Sequence, residues 1–243
     1  MGHDVSYTLF LPEQGETPYP VLVQLHGLGD DDSAWLHKSM LAMQVRDYPL
    51  AVVMPTTHTG FYLNWKSGDR LQQLRYEDLI MVDITDHLKR HFAVTDGPWA
   101  IGGLSMGGYG SMRLGLKYPD RFASIWSHSS AFVIGDPNDP RMPIDPTMMD
   151  EGGIEDANVF LHAERLANSN GPRPVISFDC GVDDQLIDSN RDFSTYLTGV
   201  GLDHHYAEHP GAHTWDYWNV HVREALEQHA RVLNLGRLNP HFT

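Results

Sequence analysis

Three residue types set far apart in this chain could together perform acyl transfer: a serine, an acid and a histidine. Ser105 stands in Gly103-Leu104-Ser105-Met106-Gly107, between an apolar run from Trp99 and a segment, Tyr109 to Lys117, that can be helical. A serine at a sharp strand-to-helix turn needs residues without bulk two places before and two places after it, and glycines fill both. Strain in such a turn lifts the hydroxyl above the sheet edge. The N–H of Met106, at the helix start, would face the same space and hold a developing oxyanion. Taken alone, Gly-x-Ser-x-Gly also arises by chance, and a glycine-rich turn with an exposed serine is the competing reading. The residues downstream decide between them.

A serine hydroxyl needs a base beside it, and the base needs an acid that orients it and stabilises its charged form. In sheets of this kind the order along the chain is Ser, then Asp or Glu, then His, each after its own strand. Asp184 follows the apolar run Pro174–Phe178, and His213 follows the extended segment His204–Glu208. Asp183 competes with Asp184 as the acid, with Asp179 and Asp188 as weaker rivals. Among 15 histidines, His213 stands out by position, with proline and glycine before it and a tryptophan-rich helix after it. His204, His205 and His209 read as solvent-facing. No metal-ligand pattern of the helical H-E-x-x-H kind occurs, so neither a metal nor another cofactor is expected. A second oxyanion donor comes from the loop after an earlier strand. His26-Gly27-Leu28-Gly29 is that loop; Leu28 is the chosen donor, and His26 reads as a buried, hydrogen-bonded support.

The elements that must position these residues follow from hydrophobic patterning. Pro20–Leu25, Leu50–Met54, Trp99–Leu104, Phe122–Trp126 and Pro174–Phe178 are apolar runs of strand length, and Val5–Leu11 alternates. Between them lies a helix from Ala34 to about Arg46, capped by Ser33 or Asp32, with Asp30-Asp31-Asp32 as its solvated start. Tyr76, Ile80, Ile84, Leu88 and Phe92 form the apolar stripe of a second helix. Further helices are expected over Asp156–Asn168 and Asn190–Gly199. A closing helix buries Trp215, Trp218, Val222, Leu226 and Leu233. Alternating strands and helices predict an α/β fold, a mostly parallel sheet flanked by helices on both faces. Thr56–Leu71 is a long loop whose Phe61, Tyr62 and Trp65 either pack over the core or wall a substrate pocket together with Trp35 and Trp215. Gly135–Gly153 reads as an excursion over the sheet top, too short for an independent domain.

Composition narrows the function classes. The 243 residues suit one domain, 1–243, and 41% hydrophobic with 20% charged residues is ordinary for a globular protein. A net charge of −15 repels a phosphate backbone, so nucleic acid is not an expected partner. No apolar run approaches the roughly 20 residues that cross a bilayer, so no membrane partner is expected either. No signal-peptide core follows Met1, which favours the cytoplasm and leaves a trimmed secreted domain as the alternative. The single cysteine, Cys180, excludes an internal disulfide framework. A homo-oligomer is compatible with all of this.

Four ordered motifs together resemble the esterase D family of α/β-hydrolases: His26-Gly27-Leu28-Gly29, Gly103-Leu104-Ser105-Met106-Gly107-Gly108-Tyr109-Gly110, Cys180-Gly181-Val182-Asp183-Asp184 and Pro210-Gly211-Ala212-His213-Thr214-Trp215. That family includes tributyrin-type esterases, feruloyl and acetylxylan esterases, S-formylglutathione hydrolase and mycolyltransferases. The likeness runs from about Tyr7 to Trp218 and is nearest to the short tributyrin-type esterases with little or no cap. It implies Asp184 as the acid, fourth in Gly-x-x-Asp, and His213 as the base, in Gly-x-His-x-Trp. It also implies a serine carboxylesterase acting on a small-molecule ester. A short acyl ester is the expected substrate, and Trp35, Phe61, Tyr62, Trp65 and Trp215 could equally accept a phenolic or sugar moiety. An acyltransferase of the same fold, and a hydrolase-fold binding protein without the chemistry, are the alternatives.

Overall fold

The computed structural model describes residues 5–66, 75–134 and 153–238. Five central strands run parallel: β2 (Val21–Leu25), β3 (Ala51–Pro55), β4 (Trp99–Leu104), β5 (Phe122–His128) and β6 (Val175–Gly181). The edges are β1 (Tyr7–Phe10), antiparallel to β3, and β7 (His205–His209), parallel to β6, in the order β1-β3-β2-β4-β5-β6-β7. Successive side chains of a strand point to opposite faces, so one apolar strand feeds two cores. Val21, Val23 and Leu25 of β2 join the core on one face, and Leu22 joins the other.

The first face is covered by α3 (Tyr76–Asp78), α4 (Thr85–His91), α5 (Met106–Lys117), α7 (Val159–Ala167) and α8 (Ile187–Gly199). The second is covered by α1 (Ala34–Lys38), α2 (Leu41–Gln44) and α9 (Trp215–Val232). A short α6 (Gly153–Ala157) precedes α7. Among the described residues no helix is long and apolar enough to cross a membrane. From β2 the chain moves outward to β3, whereas from β4 it moves the opposite way to β5. The carboxyl ends of β2 and β4 are therefore the topological switch point, the place where open α/β sheets bind ligands.

Several elements differ from their sequence expectation. The helix expected from Ala34 to Arg46 is broken at Ser39, which is extended; its Oγ donates to the Trp35 carbonyl at 2.5 Å and accepts the Leu41 N–H at 3.2 Å. A serine that offers the backbone its own hydrogen bonds competes with the helix. The segment resumes as α2 and a 3₁₀ turn, Val45–Asp47. Neither Ser33 nor Asp32 caps α1. Asp31 instead accepts the Ser33 N–H at 2.8 Å, while Asp32 accepts the hydroxyls of Thr8 and Thr56 at 2.8 and 2.7 Å. The acidic run is thus bonded to β1 and to the end of β3 as well as solvated. The Tyr76–Leu88 stripe is buried as its period demands, with a π-helical stretch over Leu79–Ile84 between α3 and α4. The Asp156–Asn168 helix divides at Asn158, whose side chain accepts the N–H groups of Phe160 and Leu161 and caps α7. The Gly135–Gly153 excursion lies outside the described residues except for Gly153, and the Thr56–Leu71 loop is described through Lys66.

Candidate active site

Ser105 joins β4 to α5 with φ +54° and ψ −115°, a conformation an L-residue adopts only under constraint. The constraint is tight packing on both sides. A Cβ on Gly103 would lie 2.4 Å from the Gly107 carbonyl oxygen, and one on Gly107 would lie 2.5 Å from that of Leu25. Backbone bonds fix the turn further: Ser105 N–H donates to His128 O at 2.9 Å, and Ser105 O accepts from Tyr109 and Ala131. Met106 then opens α5, whose first N–H groups have no partner within the helix. The hydroxyl is left partly exposed at the rim of the sheet.

His213 arrives from the loop between β7 and α9. Its Nε2 lies 2.9 Å from Ser105 Oγ, and its Nδ1 lies 2.8 Å from Asp184 Oδ2. A carboxylate can only accept, so Nδ1 carries the proton and Nε2 is free to accept from the serine. Asp184 is buried in the turn after β6, where its other oxygen accepts the Leu186 N–H at 2.8 Å. Burial would raise its pKa, but the His213 and Leu186 donors outweigh burial and hold the carboxyl below its ordinary value. The acid is therefore ionised behind the imidazole. Trp218 packs edge-on against the His213 ring at 4.9 Å.

The rival acids lie elsewhere. Asp183 is exposed, and among the described residues only its N–H is engaged, donating to Gly211 O at 2.9 Å. Asp188 is exposed beside Arg191. Asp179 is not in a loop, because β6 runs on to Gly181 and carries it into the sheet. There it accepts from Trp126 Nε1 at 2.6 Å, His128 Nδ1 at 2.7 Å and Tyr217 OH at 2.8 Å, fully buried. Sequence reasoning missed this network, which braces β5, whose His128 carbonyl receives the Ser105 N–H.

The loop after β2 reaches the same rim, since a Cβ on Gly27 would lie 3.7 Å from that of Ser105. Leu28 turns its side chain to solvent, 57% exposed. His26 is buried; its Nδ1 donates to Gly27 O at 2.7 Å, and its Nε2 accepts the Thr57 N–H at 3.0 Å. With both nitrogens used, and with burial lowering its pKa, His26 is a neutral support.

The aromatic residues expected at the pocket divide. Tyr62 is wholly buried and donates to His26 O at 2.8 Å, and Trp35 is buried with its N–H on Leu25 O at 2.9 Å. Trp65 is buried with its N–H on Gly60 O, and Phe61 is nearly so. These four rings are buried behind the rim, contrary to the expectation of a pocket wall, whereas Trp215 is partly exposed and packs on Trp35 at 5.1 Å. Phe61 and Tyr62 both have positive φ, so the loop that carries them is itself strained.

Similarity to known proteins gives the family. The Esterase family model matches residues 1–229. The chain belongs to the Esterase family. An acetyl esterase of Caldicellulosiruptor saccharolyticus is 31% identical over 225 residues, covering 87% of this chain and 83% of that protein. Among solved structures, an S-formylglutathione hydrolase from Agrobacterium tumefaciens superposes with a TM-score of 0.82 at 20% identity, covering 94% of this chain and 90% of that one. The fluorophosphonate-binding serine hydrolase F of Staphylococcus aureus has a TM-score of 0.79 at 22% identity and covers 91% of both chains. This member of the Esterase family is a carboxylic ester hydrolase with the α/β-hydrolase fold.

A second feature of this esterase had no sequence signal. Arg113 of α5 is completely buried and pairs with Glu77 at 2.5 Å and with Asp156; Lys117 joins both acids, and Tyr118 donates to Glu77. The cluster ties α3, α5 and α6 behind the strained loop, and Arg113 also donates to Tyr62 O at 3.4 Å.

Proposed function

We propose that this esterase cleaves small esters with short acyl chains by a serine mechanism, with Ser105 as nucleophile, His213 as general base and acid, and Asp184 as the orienting acid. One observation carries the reading: the unbroken chain of hydrogen-bond distances from Ser105 Oγ through His213 to Asp184. Ser105 Oγ attacks the ester carbonyl while His213 Nε2 takes its proton. The N–H groups of Met106 and Leu28 receive the oxyanion, a contact worth about 3 to 4 kcal/mol per donor in acyl transfer. The tetrahedral intermediate collapses as His213 returns the proton to the leaving alcohol. Water then repeats the sequence on the acyl-enzyme and releases the acid. The acetyl esterase among its relatives supports an acetyl-sized acyl group. The partly exposed Trp215 gives the alcohol an aromatic surface.

The test is hydrolysis of p-nitrophenyl acetate and butyrate by Ser105→Ala, with a circular dichroism melt to verify folding. The variant is expected to lose turnover by about 10⁴-fold or more and to lose labelling by a fluorophosphonate. A folded Ser105→Ala that hydrolyses at the parental rate overturns the assignment.

A further inference from the structure

We propose that His209, His221 and Glu224 form a binding site for one divalent transition-metal ion of the Zn²⁺, Ni²⁺ or Co²⁺ class, on the α9 side of the sheet edge. Strand alternation sets it up. Tyr206 of β7 stacks on Phe178 at 4.8 Å and Glu208 pairs with Arg191 at 2.8 Å, so His205, Ala207 and His209 point to the opposite face, where α9 packs. On α9, His221 and Glu224 are three residues apart and share one side.

The imidazoles of His209 and His221 stack with centroids 4.1 Å apart at 19°, presenting nitrogens to one region. Glu224 closes it, with Oε1 3.2 Å from His221 Nδ1 and Oε2 3.9 Å from His209 Nε2. One ligand atom from each residue lies within 4.8 Å of the others. Metal bonds of about 2.1 Å bring neighbouring ligand atoms to about 3 to 3.4 Å, so the two imidazoles turn out of their parallel stack to aim both lone pairs at one ion. His209 Nε2 is shielded from solvent and has no hydrogen-bond partner among the described residues, a costly state for a ring nitrogen that an ion would relieve. Among the described residues, Glu224 has no Lys or Arg partner and is free to serve as a ligand.

Two imidazoles and one carboxylate suit borderline transition ions, whereas Mg²⁺ and Ca²⁺ favour all-oxygen sites. Three protein ligands leave the remaining positions to water. The site is separate from Ser105 and Asp184 but brackets their partner. His209 ends β7 four residues before His213, and α9, which carries the other two ligands, begins two residues after it. A bound ion would therefore staple the two ends of the loop that holds His213. The sequence concealed the site because its helical pair is i, i+3 and the third ligand lies on a strand. His209, expected to face solvent, is only partly exposed and packs on His221 of α9.

The experiment uses the full chain, stripped with EDTA and titrated with CoCl₂ and ZnCl₂ by calorimetry and by cobalt ligand-field absorption. One equivalent is expected to bind in the low micromolar range or tighter, with a rise in Tm. His221→Ala and Glu224→Gln are expected to weaken binding at least about tenfold and to abolish the Tm rise. Glu224→Gln keeps the side-chain shape at a half-exposed position, so it reads the site even where a histidine variant folds poorly. Binding of equal strength and stoichiometry in parent and Glu224→Gln would mean scattered surface histidines only and would overturn the proposal. Absence of binding to the parent below millimolar metal would do the same.

Discussion

Asp184 reaches His213 Nδ1 at 2.8 Å, while its neighbour Asp183 points its carboxylate into solvent. Adjacent residues of one type thus have opposite environments, and the difference is a tight turn: Asp184 N–H donates to Gly181 O at 3.1 Å, which folds its side chain under the His213 loop. In the proposed mechanism, Asp184→Asn lets the imidazole adopt the wrong tautomer, because an amide nitrogen donates where the carboxylate accepted. The expected loss in kcat is about 10³ to 10⁴-fold, with KM little changed. Asp183→Asn is expected to stay within about twofold, because a solvated charge contributes little. Steady-state kinetics on p-nitrophenyl butyrate compare the two directly.

Glycine 107 offers a test of the elbow that does not touch the reacting atoms. A methyl at Gly107 would stand 2.5 Å from Leu25 O and 2.6 Å from His26 O, both backbone atoms that cannot rotate away. Gly107→Ala is expected to cost about 3 kcal/mol, at the upper end of overpacking, and to lower kcat/KM by pushing the His26–Gly29 loop off the rim. Gly199 in α8 has nothing within 4 Å of such a methyl, and Gly199→Ala is expected to be neutral or to stabilise by up to about 1 kcal/mol. Urea unfolding of the two variants separates close approach from helix propensity.

How much was legible in the sequence follows from which signals are local. The strand before Ser105 is a continuous apolar run, the one before Asp184 is largely apolar as far as Phe178, and the glycines flanking Ser105 announce its turn, so these features needed no structure. The order Ser105, Asp184, His213 named the residues that now lie within hydrogen-bond distance of one another. Facing was harder to read. Trp35 in α1 and Tyr62 in a loop both lie near the rim, yet their N–H and O–H groups find carbonyl partners inside, and nothing in their spacing reveals that. Asp179 looked like a loop residue because β6 was expected to stop at Phe178; its buried donors come from Trp126, His128 and Tyr217, on two other elements. Ser39 broke a helix through bonds to its own neighbours, which propensity alone does not anticipate.

The Arg113 cluster is a similar case, with partners 36 and 43 residues away along the chain. Burial would raise the Glu77 pKa, but the Arg113, Lys117 and Tyr118 contacts outweigh it and keep Glu77 ionised. Removing one charge leaves the fully buried guanidinium short of a counterion, and a broken buried pair typically costs about 3 to 5 kcal/mol. Asp156 remains as second partner, so Glu77→Gln is expected at the lower end, about 3 kcal/mol. The double variant Glu77→Gln with Arg113→Met is expected to cost less than the sum of the single variants, as coupled residues do. Four denaturation curves complete that cycle.

Buried neutral histidines set the response to acid. His229 is fully buried with Nδ1 2.8 Å from Ser124 Oγ, and burial, together with nearby His128, holds its pKa down to about 3. His162, buried beside the Arg113 charge, is held down to about 4. In the unfolded chain both titrate near 6.5. Below that pH the unfolded state binds protons that the folded state refuses, so stability decreases as pH drops from about 6.5 toward the folded values. By pH 5 each of these histidines removes about 2 kcal/mol, a large share of the stability of a typical domain. The lowered pKa values of Asp179, Asp184 and Glu77 act in the same direction at lower pH, below the ordinary carboxylate range. Urea unfolding at pH 7.5 and pH 5 should therefore show marked acid destabilisation of the parent. In His229→Gln, whose amide cannot titrate, the difference between the two pH values should shrink by about 2 kcal/mol. An unchanged difference would mean that His229 takes up its proton in the folded protein, against its dry surroundings between α9 and the sheet.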